Sequence, residues 1–220
     1  MKQHLKSIFS IACASAVALS FGMTAAHADE PTTGLYIGTA LGYNKSSNLN
    51  GRIDGALSTQ GIGSTTSSGN TNVTPNFKLG YIINPSFAIE ASYDSVGAIN
   101  LQSSISSPAA DTALGTWKAT GMGLHMLGIS PLYSQWSIVG RVGYESWKST
   151  LNLTSNAGGT TAVATTSTNG GLVLGAGLSY AMSKNVDATG DFIHYFGVGN
   201  NATTGQSGIN TFNVGMRYHF

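Results

Sequence analysis

Eight charged side chains stand where they could act together: Lys78, Arg141 and Arg217 against Glu90, Asp94, Glu145, Asp187 and Asp191. Converging in a narrow interior, such groups would form a lumenal polar network, because a dry charge is tolerated only when paired and hydrogen-bonded. Hairpin geometry sets Glu90 diagonal to Lys78, with Arg141 at similar height, which predicts a Glu90–Lys78–Arg141 cluster plugging the middle. Asp187 and Arg217, near the turn ends of adjacent strands, predict a second pair. Other chemistry has less footing. His194 would need a Ser and an acid beside it to serve as a base, and Tyr195 and Phe196 follow it instead. His125 reads as lumenal filling, and His219 belongs to the closing strand. Gly175-x-Gly177 reaches Tyr180 where a phosphate cradle needs a third glycine. No spacing of His, Cys or carboxylates suggests a metal. No catalytic, cofactor-binding or metal-binding residue is therefore expected, and the chain is not expected to be an enzyme.

Strands must position these charges, and period-two alternation marks them. The first sets Leu35, Ile37, Thr39, Leu41 and Tyr43 against Tyr36, Gly38, Ala40, Gly42 and Asn44. The second sets Phe77, Leu79, Tyr81 and Ile83 against Asn76, Lys78, Gly80 and Ile82. After a turn at Asn84-Pro85-Ser86, the third returns with Phe87, Ile89, Ala91 and Tyr93 opposite Ala88, Glu90, Ser92 and Asp94. In the fourth, Trp117 to Ser130, the alternation slips over Leu127 to Ile129, which suggests a bulge near the turn. The fifth carries Ile138, Val142 and Tyr144 opposite Arg141 and Glu145; the sixth carries Leu172, Leu174 and Leu178 opposite Gly175 and Gly177. The seventh sets Val186, Ala188 and Phe192 against Asp187 and Asp191, and the last alternates from Phe212 to Phe220.

Between strands, Lys45–Val73, Ser95–Thr116, Ser149–Gly170 and Gly197–Gly208 read as long Ser/Thr/Asn/Gly-rich loops. They alternate with short turns. An even strand number with long and short connections in alternation predicts an all-β fold, an eight-stranded antiparallel up-and-down transmembrane β-barrel. The face holding the glycines and charges is too small to be the outside, so the greasy face must meet lipid. Tyr43, Tyr93, Trp117 and Tyr144 at the loop ends, with Phe87, Trp136, Tyr180 and Phe220 at the turn ends, would make two interfacial girdles.

Composition agrees. Charged residues are 9% of 220, against about 25% in soluble domains, yet no apolar run beyond the first 30 residues approaches a spanning helix. Residues 1–28 read as a signal peptide: Lys2 and Lys6, an apolar stretch from Ile8 to Phe21, and Ala26-His27-Ala28 as a small-x-small site. Cleavage after Ala28 would leave a barrel domain over residues 29–220, without Cys13, the single cysteine. Removing Lys2 and Lys6 from ten basic residues leaves eight against nine acidic, which gives nucleic-acid binding no support.

The segments Gly34-Leu-Tyr-Ile-Gly-Thr-Ala-Leu-Gly-Tyr43, Leu79-Gly-Tyr-Ile-Ile-Asn-Pro85, Ala88-Ile-Glu-Ala-Ser-Tyr-Asp94, Gly140-Arg-Val-Gly-Tyr144 and Asn213-Val-Gly-Met-Arg-Tyr-His-Phe220 resemble the small outer-membrane β-barrel family that includes the OmpA transmembrane domain and porin-like proteins. The resemblance implies a Gram-negative outer membrane. It also implies that Phe212, Val214, Met216, Tyr218 and Phe220 form a C-terminal assembly signal. The family has an interior salt-bridge gate; Glu90 and Arg141 match its acidic and basic positions, while Thr189 stands where it has an arginine. Expected partners are outer-membrane lipid and, during insertion, the barrel-assembly machinery, with a monomer as the final state and any external ligand unspecified. The expected role is structural or that of a narrow porin-like passage. The alternatives are surface interaction (adhesion, phage or host binding) through the long loops and, less favoured, an OmpW-like hydrophobic conduit.

Overall fold

The computed structural model describes residues 33–69, 71–156, 159 and 161–220; the predicted signal peptide and its cleavage site lie outside them. The elements are β1 (Gly34–Ser47), α1 (Leu49–Thr59), β2 (Gly63–Ser68), β3 (Thr71–Asn84), β4 (Phe87–Ser107), β5 (Asp111–Tyr133), β6 (Trp136–Ser155), β7 (Ala162–Ala181), β8 (Val186–Asn200) and β9 (Gly205–His219). Eight of the strands close an antiparallel ring in the order β1-β3-β4-β5-β6-β7-β8-β9, and β9 returns to β1. The extra strand, β2, pairs with the far half of β4, beyond the point where β3 leaves it at Phe77↔Tyr93.

The lower part of the barrel is apolar outside. Val142, Leu174 and Met216 are 49%, 50% and 51% exposed, while Glu90 and Arg141 on the opposite face are buried. Exposed apolar residues such as Ile37, Leu79, Ile89, Leu124, Leu178 and Val214 continue this band around the ring. So much contiguous grease is stable only against lipid.

The strands outrun that band. A membrane crossing needs about 9–11 residues, whereas β5 has 23 and β4 has 21. The segments expected to be loops are therefore largely strand, and the first also contains α1. Their alternation persists with the faces exchanged. Along β6 the inward series runs Ser137, Val139, Arg141, Gly143, Glu145, Trp147, Ser149, Leu151, Leu153, turning from polar to apolar as it rises. The outward series turns the other way, from Ile138, Val142 and Tyr144 to Lys148, Thr150, Asn152 and Thr154. Above the bilayer the outside must satisfy water, so hydroxyls face out and grease faces in.

Two bulges help keep grease inward. At the β4 irregularity between Ser95 and Gly97, Gly97 adopts φ +73°, a left-handed conformation that suits glycine. Even positions such as Glu90 and Asp94 point inward below the bulge, and odd ones (Ile99, Leu101, Ile105) above it. A second bulge, between Tyr195 and Val198 of β8, does the same.

Two expectations are corrected here. Trp117 is not in the loop-side girdle: it is fully buried in the upper barrel, where its Nε1–H donates to the Thr204 carbonyl at 3.0 Å. Nor does β5 slip at Leu127 to Ile129, because its pairing with β6 runs in unbroken register from Ala113 to Pro131. The irregularity falls between Pro131 and Tyr133, and Leu127 points inward against Tyr36, Ile82, Ala88 and Val139.

Candidate functional site

The predicted charged residues converge in the lumen, which is filled at two levels. The lower level is ionic. Glu90 of β4 and Arg141 of β6 form an ion pair across it. The other Glu90 oxygen accepts a hydrogen bond from the Tyr36 hydroxyl at 2.8 Å. Arg141 Nη1 also contacts His125 Nδ1 at 2.9 Å, and its Nη2 lies 4.0 Å from Asp191 Oδ2. Lys78 Nζ pairs with the same Asp191 oxygen at 2.7 Å. Tyr36, Glu90, Arg141, Asp191 and Lys78 thus form a belt whose members come from five different strands. Lys78 bonds Asp191 rather than Glu90, so the expected three-residue cluster is instead a chain closed through β8. Gly80 is the residue that faces Glu90 in register. That glycine also makes room for Tyr36, since a Cβ there would lie 2.1 Å from the tyrosine ring. Thr189, half-buried on the inward face, sits one alternation below Asp191.

Towards the turn end, Asp187 Oδ2 receives His219 Nε2 at 2.8 Å and Ser179 Oγ at 3.3 Å, with Arg217 Nη1 at 3.6 Å. The Arg217 guanidinium lies over the Tyr36 ring, 4.7 Å from its centre. A vestibule of about 40 Å³, lined in part by Ile129, Val139, Asp187 and Arg217, stops beneath the belt. Above the belt, Glu145 Oε2 stands 3.7 Å from His125 Nε2, and Asp94 is buried at the same level. The structure thereby distributes all eight predicted charges through one lumen. Tyr36, His125 and His219 join them as network members, and their inward parity was the available sign.

The upper level is apolar. Trp117, Trp147, Ile99, Leu101, Leu151, Val173, Ile193 and Ile209 fill the head, and α1 enters it from the outer mouth with Leu49, Ile53 and Leu57. The 49, 53, 56, 57 spacing places these residues and Ala56 on one stripe of the helix. Asp54 then pins it to β2, accepting from Ser64 Oγ and Thr66 Oγ1, each at 2.7 Å. Thr59 Oγ1 bonds the Ala202 carbonyl at 2.9 Å. Fully burying each Leu or Ile favours the docked helix by roughly 1.5–3 kcal/mol, so α1 acts as a plug.

His194 lies on the outward face of β8, where its Nδ1 meets Asn210 Oδ1 at 2.7 Å and its ring abuts Phe196. That arrangement supplies no nucleophile.

No curated protein matches the chain in sequence. Among solved structures it is similar to Neisserial surface protein A (TM-score 0.55, 17% identity, covering 87% of this chain and 100% of that one). It is also similar to the outer membrane protein OprG of Pseudomonas aeruginosa (TM-score 0.56, 12% identity, covering 89% and 99%). The model of the outer membrane protein beta-barrel domain matches residues 14–220. With the closed ring, its lipid-facing band and this match over nearly the whole chain, the protein belongs to the outer membrane protein β-barrel family and is a protein of the bacterial outer membrane.

Proposed function

We propose that this protein is a closed, non-conducting barrel with a structural role in the outer membrane. The observation that carries the reading is the double occlusion of its lumen, by the Glu90–Arg141–Asp191–Lys78 belt and by the head packed around α1. A porin-like passage needs a continuous wet path, and the ion pairs of the lower level and the apolar packing of the upper one both weigh against it. An OmpW-like conduit needs an apolar lumen open to the membrane; here the apolar half is occupied by α1 and the half within the bilayer is ionic. The outward pairing of His194 with Asn210 supports a non-catalytic role. In this reading the chain inserts through the barrel-assembly machinery, guided by the alternating strand from Phe212 to Phe220, and stays monomeric in lipid. Planar-bilayer recording tests it: the wild-type barrel should give no conductance steps above the bare membrane, and reproducible steps would overturn it.

A second reading, surface interaction, is favoured by the walled head. β4 to β7 carry a broad outward face of Ser, Thr and Asn above the bilayer, held rigidly by ladder pairing. Cells lacking the protein should then adhere or take up phage differently while their solute permeability stays unchanged. Equal adhesion and phage uptake would remove this reading.

A further inference from the structure

The charges inside the barrel do not balance. Among the described residues, its lysine and arginines are each matched by an acid: Arg141 by Glu90, Lys78 by Asp191 and Arg217 by Asp187. Asp94 and Glu145 are left over, 3% and 0% exposed, and no described Lys or Arg pairs with either. His125 does not supply the missing charge. Its Nδ1 meets Arg141 Nη1, and a guanidinium can only donate. Nδ1 therefore accepts, and the ring's proton sits on Nε2, facing Glu145 from 3.7 Å as a donor. A buried carboxylate stays ionised only when a cation or a metal ion compensates it.

The two acids meet over a trough in the inner wall. Gly121 and Gly123 of β5 give it a floor without side chains. Asp94 and Ser92 of β4 stand in register with them on one side, and Trp147 and Glu145 of β6 on the other. Glu145 leans across the floor: its Oε1 would lie 2.2 Å from a Cβ on Gly121, and Ser92 Oγ would lie 3.0 Å from one on Gly123. Tyr195 of β8 packs edge-on against Trp147, with ring centres 5.1 Å apart, and its hydroxyl faces the same two acids. Ser92 Oγ, Asp94 Oδ1, both Glu145 carboxylate oxygens and the Tyr195 hydroxyl are buried without a hydrogen-bond partner. Such atoms are few in native interiors, and a group of them in one place points to a ligand.

We propose that Asp94, Glu145, Ser92 and Tyr195 bind one calcium ion inside the barrel. Every donor is an oxygen, and the two acids carry the charge that a divalent ion neutralises. Calcium accepts an irregular oxygen set and a bidentate carboxylate, whereas magnesium keeps an octahedral shell with several waters; a trough walled by Trp147 and Tyr195 suits the former. The ion ties β4, β6 and β8 together just above the ionic belt. No sequence spacing announces the site, because its donors lie on three strands. It does not depend on whether the lumen conducts, so bilayer recordings and calcium counts give independent answers.

Refolding the barrel in calcium chloride or in chelator, then counting bound ions by native mass spectrometry after free calcium is removed, tests the assignment. Wild type refolded with calcium should retain one ion per barrel and unfold at higher urea than wild type refolded in chelator. D94N and E145Q keep the shape of each acid and remove its charge; both should lose the ion and the calcium-dependent shift. Because each also removes an uncompensated buried charge, both should fold without calcium at least as well as wild type. Folded wild type that holds no calcium, or folded D94N and E145Q that hold it as wild type does, would overturn the site.

Discussion

Arg141 of β6 and Glu90 of β4 meet across the lumen, and His125 of the intervening β5 contacts the same guanidinium nitrogen. Glu90 bonds both Tyr36 and Arg141, so it ties three strands at one point. Glu90→Ala strands a buried guanidinium beside Asp191, which costs about 3–5 kcal/mol when one partner of such a pair is removed. Urea unfolding of the refolded barrel should show that loss. Bilayer recordings of the same variant should stay silent, because α1 and the head still close the outer mouth. Undiminished stability would contradict the belt.

The head should behave like the core of a soluble domain. Trp117→Ala opens a cavity among Leu49, Trp147 and their neighbours, with an expected loss of about 3–5 kcal/mol. Trp117→Phe keeps most of the volume and forfeits the bond to Thr204, for about 1 kcal/mol. Denaturant titration of the two variants separates packing from hydrogen bonding. Equal and small losses would place Trp117 outside the packed interior.

On one face of β6, the same substitution should have opposite consequences at two heights. Val142→Arg puts a cation at mid-bilayer, for about 2–4 kcal/mol. Asn152→Arg lies in the watery zone and should be nearly neutral. Equal costs at the two positions would contradict the boundary drawn between them.

Asp111, at the outer tip, accepts hydrogen bonds from Thr161, Ser155 Oγ at 2.9 Å and Thr112 N–H at 2.7 Å, and these hold its carboxyl below the ordinary carboxylate range. A depressed folded pKa stabilises the tip above the unfolded value and loses that contribution as pH falls through the folded one. Hydrogen exchange, corrected for intrinsic rates, should therefore show the tips of β5, β6 and β7 loosening in acid while remaining unchanged near neutrality. Asp111→Asn should flatten that pH response. An acid response that persists in the variant would assign it to another group.

How legible all this is from sequence depends on height in the barrel. Within the bilayer the solvent is uniform, so a greasy outward face and an ionic inward face give a clean alternation from Phe87 to Asp94 and from Trp136 to Glu145. Above it the phase reverses, and outward Ser, Thr and Asn look like loop composition although Ile99, Leu101, Leu151 and Leu153 keep the period. The bulge at Gly97 adds a parity shift that a fixed period cannot follow. Trp117 stands at the loop end of its predicted strand, which suggests a girdle, whereas the odd parity it shares with His125 and Leu127 sends it inward. The α1 stripe of Leu49, Ile53, Ala56 and Leu57 was also present, hidden among Gly, Asn and Ser. Within the site, the charged residues were readable from parity. Two of the pairings were readable as well, Glu90 with Arg141 and Asp187 with Arg217; Lys78 with Asp191 was not, because it is a contact across the lumen that no hairpin register specifies.

One barrel is thus grease-out in the membrane and grease-in above it. Cys13 is the single cysteine of the sequence and falls in the predicted signal peptide, so cysteines can be introduced singly along β6 and probed with a membrane-impermeant maleimide and with a lipid-phase quencher of an attached fluorophore. Val142→Cys should respond to the lipid quencher alone, Asn152→Cys should react with the aqueous maleimide, and Leu151→Cys in the folded barrel should be reached by neither. Rapid labelling of Leu151→Cys from water, with the barrel still folded, would contradict that arrangement.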